Sequence, residues 1–438
     1  MKKEERIVKI LNMVDETYIE EATPVPQKKI RYSWKMWTGM VAAIICAAGV
    51  SLYSFNHFGE RDIITPEIDP IDTTEQSVST ENTEQIETTE STEVEGPQYH
   101  EDGRMLLTAG INADGMGFEG LMFYDISENS SLNPWTKDSE IERLPVFKNL
   151  SYTQGPGYAI WLDNDQMLEK AETVADGLGT EIVSTEYRSI PAYDEWTAAD
   201  RSKAYEMVAT TDLGEIKVIG NGDINIFLEP AIELPSQYCF TWSDTSDEDA
   251  KRVMEYLLEQ YQELIDLEQP VAESWGHYSF SGSQHREYYV FEGKGSLEEQ
   301  IIHYNFAKVE FSPNDGGNLW NIRCGNLLDS AEKMDDYPII SWQTAQELLL
   351  RGDYITTVPK SYLENGLVKE EQIAEVELVY RTGRYDQVYM PYYRFYVELK
   401  EANWQNMAEG LKNFGAFYVP AVSGEYLTNF PVWEGQFN

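Results

Sequence analysis

Apolar positions change their period several times along the chain, and the changes divide it into regions. In "ERIVKILNMVDETYIEEA", Ile7, Ile10, Leu11, Val14 and Tyr18 fall on one face of a helix. Pro24 and Pro26 end that pattern. So short a helix is marginal alone in water, so the stripe needs a partner: a lipid surface or, better suited to its acidic flanks, another protein. From Met36 to Gly59 there is no Asp, Glu, Lys or Arg. About 20 apolar residues cover a bilayer core, and Lys28, Lys29, Arg31 and Lys35 stand on the N-terminal side. A cleaved signal peptide, a lipoprotein signal and a buried soluble helix are weaker readings. The basic region before the run is long, no good small-x-small site follows it, and Ile44 and Ile45 precede Cys46. The expectation is one retained transmembrane helix over 36–56, with 1–35 cytoplasmic and the C-terminal bulk extracytoplasmic. Gly39, Ala43, Ala47 and Ser51 recur every four residues, a face on which two spans could pack.

Residues 57–98 carry a Thr/Ser/Glu-rich stretch that cannot bury enough apolar surface to fold, so an acidic disordered stalk is expected. Beyond it the pattern becomes globular. Helical stripes at 163–179, 245–267 and 341–352 are each followed by period-two runs. Examples are "KAYEMVATT", "EIKVIGN" and "DINIFLE", then "REYYVFEG" and "FAKVEFSP", then "AEVELVYR" and "YYRFYVEL". Thr245 and Glu248 have the spacing of a capping box. The fold class predicted is α+β: two to three units of helix plus antiparallel sheet, preceded by a single transmembrane helix. The expected domains are 99–235 and 236–438, the second possibly divided near 335.

Charge sharpens this picture. Residues 1–35 contain eight basic and six acidic side chains, and the other residues 25 basic and 70 acidic. Such acidity excludes nucleic acid as a partner, because phosphate binding needs clustered Lys and Arg. Cys239 and Cys324 could pair outside a reducing compartment, or stay as two buried thiols.

Candidate chemistry is sparse. His277 and His285 are eight apart, unlike the pairs of helical metal sites, and strand or loop surface explains them better. Ser281 and Ser283 lack a nucleophile-elbow context. Asp114, Asp163 and Asp165 resemble fragments of calcium loops, but capping and turns account for them. Gly220–Asp223 is a hairpin signal rather than a phosphate cradle. Trp242, Trp275, Trp320 and other Trp residues could form a sugar-stacking face, though core and sheet packing suit them better. No catalytic, cofactor or metal residue is expected.

"ILNMVDETYIEEA", followed by a Pro/Lys-rich spacer, Trp37 and an Ala-rich run, resembles the N-termini of single-pass membrane proteins of Clostridia-like Firmicutes. Some of these carry an anti-sigma-like tail. "YMPYYRFYVEL" (389–399) resembles the C-terminal strand of PepSY-like extracytoplasmic α+β modules. The resemblance implies a membrane-anchored, non-enzymatic regulatory or sensory protein. Its partners would be the lipid bilayer, a cytosolic or membrane regulatory protein that meets the tail, and an extracytoplasmic ligand. The alternative is a cell-wall-associated binding or scaffold module that uses the span only as an anchor.

Overall fold

The computed structural model describes residues 97–109, 120–129, 131–152, 162–189, 204–243, 245–265, 267–383, 386–399 and 408–429. The tail positions Ile7, Ile10, Leu11, Val14 and Tyr18 lie outside the described residues, as do Gly39, Ala43, Ala47 and Ser51 of the expected span.

Fifteen strands and five α-helices make up the described residues. The strands that matter here are β1 (Gly120–Phe123), β2 (Arg143–Asn149), β3 (Ser184–Ser189), β4 (Ala204–Thr211), β5 (Gly214–Ile219) and β6 (Ile224–Ile232). They continue with β7 (Pro270–Tyr278), β8 (Gln284–Glu292), β9 (Ala307–Pro313), β10 (Leu319–Asn326) and β11 (Ala331–Pro338). The last are β12 (Ile373–Tyr380), β13 (Val388–Tyr389), β14 (Pro391–Glu398) and β15 (Lys412–Pro420). The helices are α1 (Asn164–Leu178), α2 (Asp247–Gln260), α3 (Gln262–Ile265), α4 (Leu297–Phe306) and α5 (Trp342–Arg351).

Three antiparallel sheets form, with orders β3-β4-β5-β6-β10-β9-β8-β7, β1-β15-β14-β12 and β11-β2-β13. This corrects the α+β expectation of separate helix-plus-sheet units behind a transmembrane helix: the described residues are dominated by strand. The helix-then-strand runs do not close into sheets of their own. The strands after α1 and those after α2 merge edge to edge, because β6 pairs with β10. That pairing crosses the expected division at 235/236. A four-stranded sheet alone has two unpaired edges, and merging removes one from each half.

The single-pass membrane placement is corrected as well. Among the described residues no helix is long and apolar enough to cross a membrane. The longest, α1, has 15 residues and an amphipathic pattern, short of the roughly 20 apolar residues a span needs. Residues 36–56, on which the span was read, lie outside the described residues.

Alternation organises the large sheet. One row of directly paired residues reads Tyr187, Met207, Val218, Ile224, Cys324, Val309, Val290, Ala272 from edge to edge. All eight are apolar or thiol, and they meet the buried faces of α1 and α2 in one core with Met167, Val174, Val253 and Leu257. The neighbouring row reads Glu186, Val208, Lys217, Asn225, Arg323, Glu310, Tyr289, Glu273 and faces the other way. Local signals set the helices against this core. Asp163 caps α1 in a full capping box with Gln166, and Gly179 ends it in the left-handed conformation. At α2 the cap is Ser246 rather than Thr245. The Thr245 hydroxyl is already taken, accepting the Thr241 N–H at 2.9 Å.

The polar face is roofed at its β7–β9 end. Helix α4 packs on β8, β9 and β12, and β1 packs on β7. Phe306, the last residue of α4, closes an aromatic cluster with Phe147, Tyr380 and Tyr389 at ring separations of 5.2, 4.9 and 5.7 Å. The chain passes from α4 into β9 without a loop, so anchoring Phe306 also places Tyr304 and Lys308.

Gly214 lets the β4–β5 turn lie against β6. Its φ is +131°, and an added Cβ would stand 2.0 Å from the Phe227 carbonyl oxygen. Gly222 also has a positive φ, yet its Cβ would meet open space. Gly214→Ala is therefore expected to lower stability by about 3 kcal/mol or more, and Gly222→Ala by about 1 kcal/mol, in urea unfolding. Equal midpoints for the two variants would refute this packing of the turn.

Candidate functional site

Roofing a charged sheet face strands charges in the interior, and the structure concentrates them in one cleft. About 430 Å³ in volume, it is lined from the large sheet by Glu273, Trp275, Glu287, Tyr289 and Lys308. The covering layers add Tyr304, Ser131, Gly120, Leu121, Arg394 and Tyr396. This volume lies within the range of small-molecule sites.

Glu273 is 2% exposed. One carboxylate oxygen accepts the Leu132 N–H at 3.0 Å. The other, Oε2, has no hydrogen-bond partner among the described residues and lies 3.9 Å from Lys308 Nζ. That separation is an ion pair but too long for a hydrogen bond. The Lys308 ammonium stands 3.9 Å from the centre of the Tyr304 ring and 5.1 Å from that of Tyr289, in cation–π contact with both. Tyr304 is held in turn by a hydrogen bond between its hydroxyl and Ser131 Oγ, at 2.7 Å. Tyr289 donates its hydroxyl to the Glu287 carboxylate.

The opposite wall repeats the theme. Glu377 and Arg394 face each other across the β12–β14 ladder. Arg394 donates to Glu377 Oε2 from Nε at 3.1 Å and from Nη2 at 2.5 Å. Glu377 Oε1 is buried without a hydrogen-bond partner among the described residues. The Arg394 guanidinium also lies over the Tyr396 ring, 5.2 Å from its centre.

Burial sets the protonation of the cleft. It pushes the Glu273 carboxyl up, and Lys308 and the Leu132 N–H only partly oppose this. Burial pushes Lys308 down, helped by the positive charge of Arg394 and opposed by Glu273. Glu310 is raised by burial and by Glu287. Glu375, two residues before Glu377 on β12, is pushed up to about 7 by burial and by Glu377. Each shift moves the group toward its neutral form, as desolvation requires.

Two further recesses share residues with the cleft. Tyr289 and Lys308 also line one of about 190 Å³ with Glu310 and Arg323. Glu273 also lines another of about 500 Å³ between α2 and the edge strand β7.

The residues singled out from sequence fall elsewhere, with one exception. Trp275 lines the cleft, its indole N–H donating to Asn129. His277 and His285 do come together, as directly opposite residues of the β7–β8 hairpin with ring centres 5.2 Å apart. Trp242 stacks on His285 at 5.2 Å. Among the described residues no three His, Cys, Asp or Glu gather as a metal-holding set. Ser281 and Ser283 sit in the turn of that hairpin. Gly220–Asp223 forms the β5–β6 turn. Trp320 packs edge-on against Phe227, and Trp342 donates to the Lys137 carbonyl. Cys239 and Cys324 are both free thiols. Asp114 lies outside the described residues.

Glu273, Lys308, Glu377 and Arg394 escaped the sequence reading. Their signal was a lone charge inside an apolar or aromatic strand run: "VAESW", "FAKVEF", "AEVELVY" and "YYRFYV". A scan against protein-family models and a search of curated proteins found no match to this chain.

The Glu375 shift has a pH consequence. A carboxyl whose folded value lies above its unfolded one binds extra protons when folded, so it subtracts stability as pH rises from about 4.5 through about 7. Glu375→Gln is expected to raise Tm by roughly 2 °C at pH 8 and to leave it unchanged at pH 4. Equal effects at both pH values would contradict the shift.

Proposed function

We propose that this chain is a non-enzymatic binding module of a regulatory or sensory protein, and that the cleft between the large sheet and its covering layers receives a small polar ligand. The supporting observation is the buried charge set itself. Among the described residues Glu273 and Glu377 each keep one carboxylate oxygen without a hydrogen-bond partner. A buried acceptor left in that state lowers stability by about 1–3 kcal/mol, which suits a site retained for binding better than one retained for packing. Opposite charges within one cleft favour a ligand carrying both donors and acceptors, and the Tyr and Trp walls favour one with apolar faces. In this reading the tail stripe of Ile7, Ile10, Leu11, Val14 and Tyr18 is the contact for a partner protein that reads out occupancy.

The full chain can be screened by thermal shift and by intrinsic Trp fluorescence against amino acids, amines, hydroxy acids and sugars. At least one compound is expected to raise Tm and to saturate the fluorescence change. Glu377→Gln and Arg394→Met are expected to weaken it at least tenfold. The proposal fails if no class binds, or if the variants bind the hit as well as the parent protein does.

A further inference from the structure

The cleft holds one group whose environment points to chemistry as well as recognition. Lys308 carries its amine at the meeting point of two recesses and remains reachable, with a side chain 30% exposed. Among the described residues its nearest carboxylate oxygen is 3.9 Å away, beyond hydrogen-bond reach. The nitrogen lies over two ring faces, 3.9 Å from the centre of Tyr304 and 5.1 Å from that of Tyr289. Glu273 stands beside the nitrogen with Oε1 tied to the Leu132 N–H and Oε2 turned to the amine.

We propose that Lys308 is a carbonyl-capturing amine, whose Nζ condenses with the aldehyde or ketone carbon of a small ligand in the cleft to give a reversible imine. This rests on the same cleft as the binding role but goes beyond it. Nucleophilic attack requires a neutral amine, and burial with a neighbouring cation is the established way to supply one. Both operate on Lys308, through desolvation and Arg394, against the opposing charge of Glu273. In the first step the nitrogen lone pair forms an N–C bond, the carbonyl π bond breaks, and one proton passes from nitrogen to the new alkoxide oxygen. In the second step the Glu273 carboxyl protonates the hydroxyl, which leaves as water. The C=N bond forms and the remaining nitrogen proton returns to Glu273. One water is released and nothing is oxidised or reduced. Burial pushes the Glu273 carboxyl up, toward the protonated form that the second step needs.

Glycolaldehyde with cyanoborohydride tests this on the full chain. Cyanoborohydride reduces any imine to a stable secondary amine, and peptide mapping by mass spectrometry then locates it. Lys412, 51% exposed and paired with Glu398, serves as the internal reference. At pH 7 Lys308 is expected to be modified at least tenfold faster than Lys412, and its rate is expected to level off at lower pH than that of Lys412. Lys308→Arg should remove the fast site, and Glu273→Gln should slow it at least tenfold while circular dichroism stays unchanged. Modification of Lys308 no faster than Lys412 overturns the proposal, as does a rate untouched by Glu273→Gln. Ligand binding in the screen above would survive either result, so the two readings fail separately.

Discussion

Period-two alternation across eight strands is the constraint on which the rest of this structure depends. The row from Tyr187 to Ala272 is apolar on every strand, and the adjacent row from Glu186 to Glu273 is polar at all but Val208. Successive side chains on a strand point to opposite faces, so the two rows cannot share a side. One face is thereby committed to α1 and α2, and the other to water or to whatever covers it.

The C-terminal layers cover part of the second face, and this makes the site. A roof over charged side chains removes water from them, and only partners in the roof can replace it. Arg394 and Glu377 satisfy each other with paired hydrogen bonds, while Glu273 and Lys308 meet at 3.9 Å and share their surroundings with Tyr304 and Tyr289. Satisfaction is incomplete, which distinguishes the cleft from the aromatic cluster of Phe147, Phe306, Tyr380 and Tyr389 a few residues away. That cluster anchors Phe306 at the join of α4 and β9, and Lys308 follows two residues later.

Local features were legible without the fold. Asp163 and Gly179 mark the ends of α1 because capping depends on neighbours in the chain. The β5–β6 turn follows from Gly220–Asp223 for the same reason. Thr245 misled by one position because a tertiary circumstance, its bond from Thr241, removed its hydroxyl from the competition. His277 and His285 were read as strand or loop surface, and hairpin register, which a spacing of eight does not fix, sets them directly opposite each other. The expectation of separate α+β units failed because a helix-then-strand run says nothing about which strand its last edge will meet.

The chain alone determined which strands alternate and where α1 begins and ends. Tertiary structure alone decided that β6 and β10 join two halves into one sheet, and that Glu273, Lys308, Glu377 and Arg394 share one cleft. The reason is range. Capping and alternation are settled within a few residues, whereas the fate of a charge on a strand depends on whether a segment a hundred residues away comes to lie over it.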